Sequence, residues 1–109
     1  MFKKLGLAAF CLLASTVALA NPVTAIGDLK RGSTATIQGT VEKISDEDEF
    51  RIADDSGSIQ VYIGPNFVPV DVGERITVRG FVDDDLLKEF YARELVRASG
   101  EVVQFDRRY

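Results

Sequence analysis

The chain has 109 residues, no histidine and one cysteine, and its 13 basic and 17 acidic side chains give a formal net charge of −4. The lack of histidine excludes Ser-His-Asp triads, Cys-His dyads and the usual zinc sites. The negative charge disfavours unspecific nucleic-acid binding, because a phosphate backbone repels an acidic domain.

The first 20 residues predict a secretory signal peptide. Lys3 and Lys4 give it a positive start, and a largely apolar stretch follows over 5–18. Ala18-Leu19-Ala20 is the small-x-small pattern that a signal peptidase reads, so we expect cleavage after residue 20. The remaining 89 residues, 21–109, are expected to form one exported domain.

Two alternatives to cleavage are a retained membrane anchor and a lipoprotein. The apolar run is shorter than the roughly 20 residues that a membrane span requires, and Asn21-Pro22 follows it. Lipid attachment at Cys11 would need small residues before the cysteine, where Phe10 stands. The processed chain then has a net charge of −6 and no cysteine, hence no disulfide and no membrane span.

The mature chain is expected to begin with a short helical turn and a bent strand. Thr24 is placed to cap a turn over 25–30. From residue 33 onward apolar and polar side chains alternate, which predicts a half-buried strand. A break in this alternation indicates a bulge near 42–43, and Gly39 at an inward position indicates a sharp bend.

The next two strands are predicted to form a β-hairpin. Segments 50–54 and 58–63 alternate on either side of a turn rich in aspartate, serine and glycine. With Ser56-Gly57 at the tip, Ile52 is expected to lie opposite Val61. A slip by one residue would move the apolar side chains to the wrong face.

A loop and a fourth strand follow. Pro65 and Pro69 exclude a long regular helix over 64–73, where Phe67 is expected to help cover one mouth of a barrel. Residues 75–82 resume the alternation and predict a strand. Its inward positions are Ile76, Val78, Gly80 and Val82.

Segment 86–96 has a mixed pattern. Leu87, Tyr91 and Leu95 recur at helical spacing, whereas Phe90 and Ala92 fit a strand with a bulge before Leu95. We expect a strand, because four short strands need a closing partner. The remaining C-terminal residues are expected to form a short extension or tail. Five strands predict an all-β fold, a small Greek-key barrel of the OB type, with an open meander or an SH3-like barrel as the alternative.

Three motifs stand in a characteristic order and spacing: Gly39-Thr40-Val41, FRIADDSGSIQV over 50–61 and GERITVRGFVD over 73–83. In them the chain resembles the bacterial OB-fold family of periplasmic stress-tolerance proteins, of the YgiW/YdeI type. The resemblance implies a signal peptide, a monomeric periplasmic OB barrel and a role in envelope stress tolerance. It implies no enzymatic activity, no cofactor and no catalytic residue. The chain departs from the family at Gly64-Pro65-Asn66-Phe67, where members often carry tryptophan and charged residues.

Four outward side chains of the first three strands are the candidate ligand-binding residues: Arg51, Tyr62, Gln60 and Gln38. OB-folds bind oligonucleotides and oligosaccharides on the face of strands two and three. There an aromatic ring stacks on a sugar or base, and arginine binds a carboxylate or phosphate. The structural alternative is a cation–π pair between Arg51 and Tyr62, which would stabilise the hairpin by about 0.5–1 kcal/mol.

Two acidic clusters, 46–49 and 83–85, have less specific patterns. Paired carboxylates act as acid and base or hold calcium through oxygen ligands, and Asp48 and Asp84 are the residues a hydrolase would use. Neither cluster has the spacing of an EF-hand loop, so both are interpreted as solvated turns. No metal site and no cofactor are expected.

The sequence thus predicts a non-enzymatic periplasmic binding module. Its face of strands two and three is expected to contact an anionic or sugar-bearing envelope component, or an outer-membrane protein. The alternative function is binding of single-stranded nucleic acid, which the fold alone suggests and the net charge opposes. We expect a monomer.

Overall fold

A computed structural model describes residues 22–84 and 88–105. The predicted signal peptide, the middle of the second acidic cluster's loop (85–87) and the end of the C-terminal tail lie outside the described residues. A 3-10 turn and six strands are present: the turn Ile26–Asp28, then β1 (Thr34–Asp46), β2 (Glu49–Asp54), β3 (Gly57–Tyr62), β4 (Arg75–Val82), β5 (Glu89–Val96) and β6 (Val102–Gln104).

The strands form a closed barrel of the OB type. The long strand β1 pairs antiparallel with both β2 and β4, β2 pairs with β3, and β4 pairs with β5. A parallel pairing of β3 with β5 closes the barrel. The predicted all-β Greek-key architecture is confirmed, and so is the strand interpretation of the described residues 89–96.

The C-terminal segment differs from its prediction as an extension or tail. Residues 102–104 form β6, which pairs antiparallel with β5. One edge of β5 is therefore shared, with β3 covering residues 89–91 and β6 covering residues 94–96. This arrangement satisfies backbone groups that a five-stranded barrel would leave exposed at that edge.

The alternation of the strands builds one apolar core. Ile37, Ile52, Val61 and Val78, at inward positions of four different strands, are all fully buried. The largest fully buried side chains come from all five barrel strands and the segment after β3, and they are Phe50, Phe90, Ile37, Ile52, Ile63, Ile76, Leu95, Val41, Val61, Val78 and Val82. With no cysteine among residues 21–109, this packing is the main source of stability.

Two glycines allow strands to approach closely. A β-carbon at Gly39 would overlap the carbonyl oxygen of Ala53 on β2. A β-carbon at Gly80 would overlap the carbonyl oxygen of Tyr91 on β5 and lie 2.9 Å from the ring of Phe90. The predicted special role of Gly39 on the inward face thus has a specific cause, the close passage of β2.

The predicted register of the hairpin was wrong by two residues. The turn is at 55–56 rather than at Ser56-Gly57, and Ile52 lies opposite Ile59 instead of Val61. An even shift preserves the face of each side chain, because successive side chains alternate. The apolar face therefore still points into the core.

The side chain of Asp54 explains the position of the turn. Its Oδ1 accepts hydrogen bonds from the backbone N–H of Ser56 at 2.7 Å, from the Ser56 hydroxyl at 2.6 Å and from the backbone N–H of Gly57 at 3.1 Å. These bonds hold a tight two-residue turn. Burial raises the pKa of Asp54, but the hydrogen bonds from Ile26, Ser56 and Gly57 outweigh it and leave that pKa below its ordinary value.

The prediction that Thr24 caps the first turn was wrong. The residue at the cap position of the 3-10 turn forms no side-chain hydrogen bond. Instead the hairpin supplies the acceptors: Ile26 donates to Asp54 Oδ2 at 2.9 Å, and Gly27 donates to Ser56 Oγ at 2.8 Å. A distant turn thus satisfies the free N–H groups that open a helix.

The loop before β4 is non-helical as predicted, but Phe67 does not cover the barrel. Val70 is buried in the core and Val68 packs against it, whereas Phe67 is 77% exposed. The backbone N–H of Val68 bonds to the carbonyl of Glu47, which ties this loop to the turn between β1 and β2. From this loop, Val68 and Val70 therefore pack onto the core, and Phe67 does not.

A half-buried glutamate, Glu74, joins the segment just before β4 to the turn between β5 and β6. Glu74 accepts hydrogen bonds from Arg97 Nη2 at 2.9 Å and Arg97 Nε at 3.0 Å. It also accepts from the backbone N–H groups of Ala98 at 3.1 Å and Asp71 at 3.0 Å. The bonds from Arg97 are the largest cause that lowers the pKa of Glu74 to about 2.

Substitution of Glu74 by glutamine is expected to lower the melting temperature at neutral pH and to have little effect in strong acid. The folded-state pKa, about 2, lies below the ordinary value of 4.5, so the unfolded chain binds the proton more readily. The carboxylate therefore stabilises the fold above about pH 4.5, and this contribution is lost as the pH falls towards 2. Circular dichroism melts across this range will measure the difference.

The matched control is Glu101→Gln, which removes an exposed partner of Arg97 at 3.5 Å. We expect a much smaller shift from it, because exposed ion pairs contribute little. If the difference in melting temperature between wild type and Glu74→Gln stayed constant from neutral pH to pH 2, it would contradict the lowered pKa of Glu74.

Candidate functional site

Three of the four predicted ligand-binding residues lie together on the outer face of β2 and β3. Arg51 and Gln60 are directly opposite each other, and Tyr62 is opposite Glu49. Arg51 Nη1 donates to Gln60 Oε1 at 3.3 Å, and Gln60 Nε2 donates to Glu49 Oε1 at 3.3 Å. Because successive side chains of a strand point to opposite faces, these three side chains and that of Glu49 lie on one side of the sheet, away from the core.

Arg51 contacts polar neighbours rather than an aromatic ring. Besides its bond to Gln60, its Nε lies 3.7 Å from Glu42 Oε1, with both side chains partly exposed. The cation–π pair with Tyr62 that was the structural alternative is not formed in the described part of the chain, where the register places Gln60 and not Tyr62 opposite Arg51.

Gln38 lies apart from the other three residues. Its Nε2 donates to Thr77 Oγ1 at 3.1 Å, and its Oε1 accepts from Arg75 Nη2 at 3.5 Å. Both partners belong to β4, on the far side of β1 from β2. Gln38 therefore belongs to the β1–β4 surface, and the structure does not bring it to the β2–β3 face.

The closing strand adds residues that the sequence analysis missed. The parallel pairing of β3 with β5 places Tyr91 beside Tyr62 and Glu89 beside Gln60. The two tyrosine rings meet edge to face, with centroids 5.8 Å apart and an angle of 68° between their planes. We call Arg51, Gln60, Tyr62, Tyr91, Glu49 and Glu89 the seam face, because they flank the seam where the barrel closes.

The seam face is acidic. Partial burial of Glu89, followed by the negative charges of Glu49 and Asp83, raises the pKa of Glu89 above its ordinary value. Asp83, which is 9% exposed, accepts a hydrogen bond from the Tyr91 hydroxyl at 3.1 Å. Three carboxyl groups thus surround two tyrosine rings and one glutamine, which makes the face rich in hydrogen-bond acceptors.

The two acidic clusters have different environments. In 46–49 the backbone carbonyls of Glu47 and Asp48 accept hydrogen bonds from Val68 and Ile63, so the cluster anchors a neighbouring loop. In the other cluster Asp83 belongs to the edge of the seam face, and Asp84 is exposed. Over residues 22–84 and 88–105, no group of three or more histidine, cysteine, aspartate and glutamate side chains is arranged to hold a metal ion. No helix in this part of the chain has the length and apolar character of a membrane span.

Comparison with known proteins identifies a solved structure with a similar fold. A solved structure described as that of the hypothetical protein ygiW from E. coli aligns with a TM-score of 0.60 and 22% sequence identity. The alignment covers 72% of this chain and 92% of that one. The sequence matches no family model and no curated protein. At this identity the likeness shows a shared fold, which agrees with the resemblance of the motifs.

Proposed function

We propose that this protein is an exported OB-fold binding module and that its seam face binds a sugar-bearing component of the bacterial envelope, in support of tolerance to envelope stress. The observation that supports this proposal most directly is the contact between the Tyr62 and Tyr91 rings, which Gln60, Glu49 and Glu89 border. Tyrosine rings offer flat apolar surfaces to sugar rings, while amide and carboxylate oxygens accept hydrogen bonds from hydroxyl groups. Arg51 adds donors at the edge of this surface.

The charges of the face favour a neutral sugar over an anion. Arg51 is already bonded to Gln60 and lies near Glu42, and Glu49, Glu89 and Asp83 are close by. A phosphate or carboxylate at Tyr62 would meet this negative potential. The same argument disfavours the alternative of a single-stranded nucleic acid, since its backbone carries one charge per nucleotide.

Sugar binding is tested by NMR titration of the purified protein with the neutral disaccharide N,N′-diacetylchitobiose and with a disaccharide–peptide fragment of peptidoglycan. We expect saturable shifts of the backbone amides at Arg51, Gln60 and Tyr62. Replacing Tyr62 by alanine should weaken binding by about tenfold, because aromatic stacking contributes roughly 1–3 kcal/mol in comparable OB-fold sites.

Two variants make this test specific. Gln60→Ala removes the side chain that bridges Arg51 and Glu49 and should weaken sugar binding. Gln104→Ala removes an exposed glutamine of β6, which lies opposite Glu94 and outside the seam face, and should leave binding unchanged. Equal effects of these two variants, or no shift with either sugar, would refute the proposal. Tight, salt-sensitive binding of oligo(dT) at the same amides would establish the nucleic-acid alternative instead.

The exported location is tested separately. Mass spectrometry of the protein purified from periplasmic extract should find a chain that begins at Asn21. An intact leader on protein recovered from the cytoplasm would show that the seam face meets a different set of ligands.

A further inference from the structure

A groove of about 700 Å³ lies on a different part of the barrel from the seam face. Its floor is the outer face of β1 and β4, where Thr34 is opposite Phe81 and Thr36 is opposite Arg79. The lead-in segment forms one wall, because the backbone N–H of Thr24 bonds to the carbonyl of Thr36 at 2.8 Å. This volume is in the range of small-molecule sites, about 300–1,000 Å³.

The other wall of the groove is formed by a bulge in β5. Arg79 is opposite Glu94 and Gly80 is opposite Ala92, so Arg93 is the extra residue between these pairs. Its side chain joins Arg79 in lining the groove. A β-bulge re-aims a side chain in this way, and here it places a second arginine beside the first.

The two arginines differ in their partners. Arg79 forms a 2.8 Å ion pair with Glu94. Arg93 is exposed, and its side chain forms no ion pair or hydrogen bond with any residue that the structure describes. The groove therefore keeps a positive charge available within an otherwise acidic protein.

A buried hydroxyl points to a missing hydrogen-bond partner. Thr36 is only 8% exposed and lines the groove. Its hydroxyl has no hydrogen bond to any described residue, although its backbone carbonyl does. Buried polar side chains nearly always have a partner, because a hydroxyl removed from water without a hydrogen bond destabilises the fold. A ligand in the groove would supply the acceptor.

We infer that this groove binds a small polar molecule through a phosphate or carboxylate group, with Arg93 pairing with the oxyanion and the Thr36 hydroxyl donating to it. Arginine and hydroxyl donors are the groups that recognise these oxyanions. Thr24 and Thr34 offer further hydroxyls to the polar remainder of the ligand, and the Phe81 ring offers a flat apolar surface. The site is separate from the proposed sugar face. The two share only β5, to which the groove contributes Arg93 and the seam face Glu89 and Tyr91, and they carry opposite charge.

The test is an NMR titration of the purified protein with glucose 1-phosphate, glucuronate and glucose. We expect saturable shifts at the amides of Thr36, Gly80 and Arg93 with at least one of the two anions and none with glucose. The two anions distinguish a phosphate from a carboxylate ligand. Arg93→Gln should weaken binding by about tenfold or more, because charge-assisted hydrogen bonds are the strong ones. Arg75→Gln is the matched control, an exposed arginine of β4 outside the groove, and should have no effect.

Thr36→Val separates a binding role from a structural one. It keeps the shape of the side chain and removes the unsatisfied hydroxyl, so it should weaken anion binding severalfold without lowering the melting temperature. The inference is overturned by equal shifts with glucose, by equal affinities of Arg93→Gln and Arg75→Gln, or by no saturable shift up to about 10 mM anion, where even millimolar affinity would be seen. None of these results bears on chitobiose binding at the seam face.

Discussion

Replacing Phe90 by alanine is expected to lower the free energy of unfolding by about 3–5 kcal/mol. Phe90 is fully buried and lies opposite Val61 across the parallel seam and opposite Val82 on β4. Its ring thus packs where the barrel closes, and truncation leaves a cavity that rigid strands cannot fill. Domains of this size have total stabilities of about 5–15 kcal/mol, so much of the stability would be lost.

Urea denaturation followed by circular dichroism will measure this loss. The chain has no tryptophan, so far-ultraviolet dichroism is the direct probe. Phe67→Ala is the matched control, because that ring is 77% exposed and its removal should change stability by no more than about 0.5 kcal/mol. Similar losses from the two variants would show that Phe90 does not occupy the core described here.

Gly80→Ala is expected to destabilise the fold by about 1–3 kcal/mol or more, although it adds a single methyl group. The new β-carbon would overlap the carbonyl oxygen of Tyr91 and lie 3.0 Å from the Cα of Ala92. Both are backbone groups of β5 and cannot rotate away as a side chain does. The strands β4 and β5 would have to separate, which weakens their pairing.

Gly57→Ala provides the comparison for this variant. A β-carbon at Gly57 would find its nearest neighbour atoms 3.9 Å away, at ordinary contact distance. Melting temperatures should therefore fall clearly for Gly80→Ala and change little for Gly57→Ala. The opposite order would mean that β4 and β5 are farther apart than the structure shows.

The fold could be predicted mainly from the alternation of apolar and polar side chains. The inward residues of β1 and β4 meet as expected, with Ile37 opposite Val78. The predicted bulge near 42–43 is present between Val41 and Lys43, and the strand β5 has its bulge before Leu95. These features depend on local periodicity, which a single sequence records directly.

Contacts made by particular side chains were harder to predict. The turn of the hairpin was placed one residue too late, because its position depends on Asp54 accepting three hydrogen bonds. Thr24 was chosen as a cap on its residue type, whereas the acceptors come from the hairpin some 28 residues away. The strand β6 has only three residues, too few for an alternating pattern to identify.

Some residues of the candidate site could likewise be predicted from local alternation, and others could not. Arg51, Gln60 and Tyr62 belong to neighbouring strands of one hairpin, so the alternation of side chains along each strand is enough to place them on one face. Tyr91 and Glu89 reach the same surface through a parallel pairing between distant parts of the chain, and Asp83 joins it by accepting a hydrogen bond from Tyr91. The outward position of Tyr91 follows once 89–96 is read as a strand, but nothing in the sequence specifies which strand it faces.

The parallel seam that closes the barrel is short, and this has a consequence for how binding and folding are coupled. Only three residue pairs join β3 to β5, against seven between β1 and β4. The seam is therefore the region where the closed sheet opens at the lowest cost. A ligand that contacts both Tyr62 and Tyr91 would bind only when β3 and β5 are paired. Ligand binding would therefore stabilise the closed barrel, and closure of the barrel would favour ligand binding.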